Sequence, residues 1–232
     1  MARATVKNRL AVADYWVLLS ALLLAALGLV MVYCASSTLA VERYRDAAFF
    51  VKRQALYLAA GLSLMFILAR LDYEQLKRLA MPGLVVSCLA LLLLHLPGLG
   101  HTAGGATRWL RLGGVTIQPS EFAKVALVLF AARFLAQDPE RAASFKRGVM
   151  PVMAVAGLVA GLVIIQPDFG MAVTLVILAM ALLFAAGARF SYLLILVAGA
   201  LPVGYAAVAS SQYRLTRFLC FLDPWSEIKG CG

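Results

Sequence analysis

Gly104-Gly-Ala-Thr-Arg-Trp-Leu-Arg-Leu-Gly-Gly-Val-Thr-Ile-Gln-Pro-Ser-Glu-Phe-Ala-Lys124 is the longest polar interruption in a very apolar chain, and its last residues open a new apolar run. Pro119 suits the first helical position, where its missing N–H costs nothing, and Glu121 then falls in the first turn, where the helix dipole favours an anion. Ser120 and Lys124 are four residues apart and Glu121 and Lys124 three, a spacing that places them on one helical face. Ionisable groups at the mouth of an apolar helix are costly and point by default to function. The competing reading is a helix-capping ion pair near lipid headgroups.

Outward from this stretch, composition excludes a water-soluble domain: of 232 residues, 63% are hydrophobic and only 14% charged, whereas a soluble domain needs a largely polar surface. The formal net charge of +10 is therefore assigned to anionic lipid headgroups or phosphates at a membrane rather than to nucleic acid. Cys34, Cys88, Cys220 and Cys231 show no C-x-x-C spacing and no metal or redox motif. Cys220 and Cys231 are free thiols unless an extracytoplasmic location lets them pair. The apolar run after Asp14 is long enough to span and lacks a small-residue cleavage site, so it does not read as a cleaved signal.

Apolar runs of spanning length, about 20 residues for a hydrocarbon core of about 30 Å, recur seven times. They cover Tyr15 to Cys34, Ala55 to Ala69, Ala80 to Leu96, the run opened by Pro119 and closed near Ala136, Gly148 to Ile165, Phe169 to Ala186, and Ser191 to Ala209. The expected fold class is all-α, a polytopic transmembrane helix bundle. Residues 1–14 form a polar N-terminal segment, 15–209 one seven-span region, and 210–232 a polar tail. The charged stretch with Glu42, Arg43, Arg45 and Asp46 is expected as a loop, as is the stretch from 104 up to the fourth span. Counting Lys and Arg on each side gives eleven on the side of the N-terminus and ten opposite, so the positive-inside rule does not set the orientation. The basic start (Arg3, Lys7, Arg9) favours a cytoplasmic N-terminus. The outer face then carries a cation surplus, for which an anionic substrate headgroup is a physical reason, because arginine forks grip phosphate oxygens in pairs.

One internal echo sharpens this reading. Gln118-Pro119 with Glu121 and Gln166-Pro167 with Asp168 each stand where a span begins on the same side. Two acidic helix starts, Lys124 and several arginines are thus expected to face one outer cleft. Chance recurrence of a favoured helix-start dipeptide is the alternative.

At these residues the chain resembles the SEDS family (shape, elongation, division and sporulation) of integral membrane proteins that polymerise peptidoglycan strands. The resemblance is carried by Gly28-Leu29-Val30-Met31-Val32-Tyr33 with Ala35-Ser36-Ser37, Lys52-Arg53-Gln54, Ala106-Thr107-Arg108-Trp109-Leu110, Gln118-Pro119-Ser120-Glu121-Phe122-Ala123-Lys124, Gln166-Pro167-Asp168-Phe169-Gly170, and Tyr213 and Arg217 ahead of Phe221-Leu222-Asp223-Pro224-Trp225. It covers nearly the whole chain and lies nearer the family's division member than its elongation member.

The resemblance implies about ten spans, a bacterial inner-membrane protein with a cytoplasmic N-terminus, placement at the division septum, and a tail that begins a large extracytoplasmic loop. It implies glycosyl transfer on lipid II, the undecaprenyl-diphosphate-linked disaccharide-peptide. The family's catalytic aspartate sits in that loop, nothing here matches it, and Asp223 belongs to an earlier motif, so these 232 residues are expected to be inactive alone. Arg108, Lys124 and Arg217 are the expected phosphate or substrate contacts, with Gln118 and Ser120 in the same motif. Glu121 and Asp168 are expected to orient those cations, or to hold a divalent metal, Mg or Mn, through oxygen ligands. Trp109 is expected at headgroup level. The implied partners are lipid II, a class B penicillin-binding protein transpeptidase, other division proteins and membrane lipids. Rival readings are a lipid II flippase or transporter, a non-catalytic division scaffold, and an elongation-type polymerase. Clustering of charge at one face opposes the transporter reading, because alternating access needs polar groups near the midplane.

Overall fold

The computed structural model describes residues 15–94, 100–103, 106–112, 115–138, 140–212 and 214–216. They fall into two compact units, Met1–Asp72 and Tyr73–Gly232.

The first unit is a helical hairpin of α1 (Tyr15–Tyr44) and α2 (Phe49–Ala69). Helix α1 runs well past Cys34, because no glycine or proline stands between residues 35 and 44 to stop it. The Ser36 hydroxyl donates back to the Val32 carbonyl at 2.6 Å, within the helix. Glu42 and Arg43, expected in a loop, therefore lie in its last turn, where a cation such as Arg43 complements the helix dipole. Arg45, at φ 57°, reverses the chain. Asp46 then accepts from the Ala48 N–H at 3.0 Å and from Lys52 at 2.8 Å. The Lys52 ammonium, with that N–H, holds the Asp46 carboxyl below the usual carboxylate range. Tyr44 stacks on Phe49 across the turn, with ring centroids 3.9 Å apart.

The second unit begins with α3 (Tyr73–Leu93), followed by an antiparallel sheet of β1 (Gly100–Ala103), β2 (Ala106–Leu112) and β3 (Val115–Ile117), in that order. The stretch expected as a loop is therefore a small sheet. Four helices follow: α4 (Pro119–Ala136), α5 (Met150–Ile165), α6 (Phe169–Ala185) and α7 (Phe190–Ala209), with a π-helical turn, Phe145–Val149, leading into α5. Helix α3 packs on α4, α5 on α6, and α6 on α4. Leu91, Leu127, Leu175 and Leu183 are the largest fully buried side chains, set among Ala123, Ala131, Ala156 and Ala179. Those small residues let helix backbones approach closely, which is how helices adhere where lipid removes the hydrophobic driving force.

Each of the seven apolar runs forms a helix. Five of these, α1, α2, α3, α5 with its π-helical turn, and α7, are long and apolar enough to cross a membrane. Helix α4 carries Glu121, Lys124 and Arg133 within 18 residues, and α6 has only 17. Large apolar side chains such as Trp16 at 81% and Leu201 at 67% exposure stand on helix surfaces that water would reject and lipid accepts. This is a multi-pass membrane protein.

Two glycines are required by the backbone. Gly187, at φ 88°, turns α6 into α7 in the left-handed region. Gly148 lies so close to the turn before it that an added Cβ would collide with the Arg141 carbonyl oxygen. Gly148→Ala should therefore cost about 1–3 kcal/mol as an overpacked site. Gly157→Ala in α5, where a Cβ meets nothing within 4 Å, should be neutral or gain up to about 1 kcal/mol of helix propensity. Thermal unfolding of both variants in detergent checks the pair; equal effects would contradict the close approach.

Candidate functional site

The two Gln-Pro helix starts meet in space. Gln118 is the N-cap residue of α4 and Asp168 the N-cap of α6. Asp168 caps its own helix conventionally, with Oδ1 accepting from the Met171 N–H at 3.2 Å. Gln118 does not cap its own helix; its Nε2 reaches across and donates to Asp168 Oδ2 at 3.3 Å. The dipole of α6 favours the carboxylate at this position.

A third element, β2, brings Arg108 to the same carboxylate. In the β1–β2 ladder, His101 pairs with Trp109 and Thr102 with Thr107, so Arg108 is the extra residue of a bulge. Bulges re-aim a side chain out of the regular alternation. Arg108 Nη2 donates to the Pro167 carbonyl, and Nε lies 3.6 Å from Asp168 Oδ2. That Nε is buried and makes no hydrogen bond among the described residues, so its contact with Asp168 is an ion pair only. The two side chains are 29% and 13% exposed, which leaves their attraction less screened than that of a surface pair.

One turn into α4, Lys124 Nζ lies 2.6 Å from Glu121 Oε2, with side chains 31% and 50% exposed. Phe122 and Val125 beside them point outward, at 60% and 58% exposure. Ser120, expected as a substrate contact in this motif, is only 2% exposed and faces the packed interior. Arg217 lies outside the described residues, as do Tyr213 and the Asp223-Pro224-Trp225 run. No group of three or more His, Cys, Asp or Glu side chains placed to hold a metal occurs among the described residues. Asp168 and Glu121 are each already matched by a cation, Arg108 and Lys124 respectively, a pairing that does not favour a divalent ion.

The equivalent glutamines of the echo do different work. Gln166 is 4% exposed, and its Nε2 donates to the Leu91 carbonyl at 2.9 Å, tying the end of α5 to the end of α3. Sequence reasoning assigns it no role, although its place in the repeated Gln-Pro pair is a signal for one.

The pattern of the FtsW, RodA and SpoVE cell cycle proteins matches residues 14–232. The chain belongs to this family. Among curated members it is 39% identical to the probable peptidoglycan glycosyltransferase FtsW of Geobacter metallireducens, over 94% of this chain and 58% of that protein. It is 33% identical to the stage V sporulation protein E of Bacillus subtilis, over 94% and 60%. Among solved structures of the family, it resembles a chain of a peptidoglycan synthase complex, described for its coordination of polymerization and crosslinking, at 32% identity and a TM-score of 0.64, covering 88% of this chain and 60% of that one. It also resembles the rod shape determining protein RodA of Thermus thermophilus, at 28% identity and a TM-score of 0.55, covering 72% and 56%. The chain thus spans about three fifths of the two curated relatives named here.

The Arg108–Asp168 pair joins β2 to the α6 start, and breaking a partly buried pair from one side strands the other charge. Arg108→Gln and Asp168→Asn should each cost about 1–3 kcal/mol. The double variant should cost clearly less than their sum. Thermal unfolding of the four proteins tests this, and strict additivity would show that the two side chains do not interact.

Proposed function

We propose that this chain supplies the lipid-diphosphate-handling part of a peptidoglycan glycosyltransferase that polymerises lipid II during septal wall synthesis. The observation that carries the reading is the pairing of cations with acids at neighbouring helix starts: Arg108 against Asp168, and Lys124 against Glu121. Kinship with probable peptidoglycan glycosyltransferases supports the reaction class. The coupling of polymerization to crosslinking in the synthase complex supports a penicillin-binding transpeptidase as partner.

In the proposed step, a sugar hydroxyl of one lipid-linked unit attacks the anomeric carbon of another. A glycosidic C–O bond forms, the bond from that carbon to the diphosphate oxygen breaks with its electron pair on the diphosphate, and the hydroxyl proton passes to a base. No residue of this chain is assigned as that base. Lys124 and Arg108 stabilise the charge that grows on the departing diphosphate, the form of catalysis in which preset cations contribute most. Glu121 and Asp168 hold those cations in place. Arg108 fits the task because its guanidinium offers five N–H groups, and the described contacts engage only part of that fork. Arg217 is proposed as a further phosphate contact and Trp109 as a headgroup-level anchor. The proposed orientation has the N-terminus in the cytoplasm, so that the Arg108 and Lys124 end of unit two meets the outer leaflet.

Two experiments test this. In a polypeptide of the relatives' full length that carries these 232 residues, Lys124→Met should abolish nearly all strand synthesis while lowering thermal stability little. Glu121→Gln should retain part of the activity, because the cation stays. Matched losses of stability and activity in both variants would reduce Lys124 and Glu121 to a structural pair. For orientation, an impermeant thiol reagent on intact spheroplasts should label Cys231, and labelling only after permeabilisation would reverse the topology.

A further inference from the structure

The opposite end of α4 carries a second arrangement that the proposed reaction does not use. Phe130, Arg133, Phe134 and Gln137 follow one another at helical spacing along one face of the last turns, and together with Met81 of α3 they line a shallow, open groove of about 190 Å³. Arg133 lies twelve residues beyond Glu121, about 18 Å along the helix axis, so this groove stands at the far end of α4 from the Glu121–Lys124 pair. Its floor is apolar: Phe130 and Phe134 stack with centroids 5.9 Å apart, and Met81, half exposed, is a flexible side chain that adapts to irregular occupants.

The polar end of the groove is cationic and under-used. Arg133 Nη1 donates to the Lys77 carbonyl at 3.2 Å, and Arg133 has no acidic partner among the described residues. One of its five N–H groups is thereby engaged, leaving most of the fork for an anion. The neighbouring Arg141 is matched differently. It lies over the Phe134 ring at 4.9 Å, donates to the Phe134 carbonyl and to Gln137 Oε1, and sits 3.8 Å from Asp138. Lys77, beside the groove, pairs with Glu74 at 3.5 Å. Arg133 is therefore a cation whose charge the described residues leave uncompensated, and it stands where an apolar groove reaches the end of a membrane helix.

We infer that this groove binds one anionic phospholipid of the leaflet opposite the Arg108–Asp168 site, with its phosphate on Arg133 and an acyl chain along Met81, Phe130 and Phe134. The observation behind it is the coincidence of an arginine without an acidic partner among the described residues and an open apolar groove at the end of an apolar helix. A free phosphate would use only the arginine, and a zwitterionic lipid would bring its own cation toward it. Basic pockets between membrane helices hold anionic headgroups on these terms.

The test is native mass spectrometry of the 232-residue chain released from nanodiscs of phosphatidylcholine with or without phosphatidylglycerol. The wild-type chain should retain one phosphatidylglycerol in preference to phosphatidylcholine. Arg133→Gln should lower that retention by about fivefold to tenfold, the range for one lost cation at a headgroup. Because Arg133 also bridges to α3, Gln137→Glu provides a variant that should keep the fold. Its carboxylate strengthens the hydrogen bond from Arg141 while occupying the groove with negative charge, and it should lower retention comparably. Arg189→Gln, a charge removed outside the groove, should leave retention unchanged. Equal retention of both lipids, equal loss in Arg189→Gln, full retention in Gln137→Glu, or displacement of the lipid by millimolar inorganic phosphate would each overturn the proposal.

Discussion

Asp168 is the group on which the arrangement of unit two depends at its functional end. One oxygen caps α6; the other receives the amide of Gln118 and faces Arg108. Three separate stretches of chain, around residues 108, 118 and 168, are thereby fixed to one carboxylate. A negative charge at this depth is tolerable because every partner offers a hydrogen-bond donor or a positive charge and because it sits at a helix N-terminus, where the backbone itself is electropositive.

The same constraint organises the lysine. Lys124 lies inside α4, where an unmatched ammonium would be costly in hydrocarbon, and Glu121 one turn earlier removes that cost. Both ion pairs keep their cations close to the ends of spans. The packed interior of unit two is leucine, valine and alanine, with Ser87, Ser120 and Gln166 as its buried polar side chains among the described residues.

Much of this is legible in the sequence. The seven apolar runs become seven helices, since hydropathy over spanning length reports the dominant energy in lipid. Pro119 and Asp168 open α4 and α6 because helix starts are written in local chemistry. The sheet over residues 100–117 is not legible: its strands are three to seven residues long and broken by glycines, so they present no period. Arg108 can be named as a contact, but the bulge that turns it toward Asp168 arises from the register of β1 on β2, which no residue type announces. Likewise, the Gln118–Asp168 hydrogen bond joins residues 50 apart, and the burial of Ser120 follows from which face of α4 meets its neighbours. The extension of α1 through Glu42 and Arg43 escapes for a simpler reason: charge suggests a loop, where only a helix stop residue makes one.

Helix α4 has charges near both ends, Lys124 at one and Arg133 at the other, with eight residues, Val125 to Ala132, between them. That uninterrupted apolar stretch is about 12 Å long at 1.5 Å per residue, far short of the hydrocarbon thickness of about 30 Å. During synthesis such a segment gains too little from lipid contact to leave the insertion machinery on its own. Its position in the bilayer is a property of the company it keeps, chiefly α3, and a reporter fusion ending after α4 should insert that helix only when α3 precedes it. Biogenesis of the unit is then obligately pairwise, with the most polar span admitted as the partner of a more apolar one.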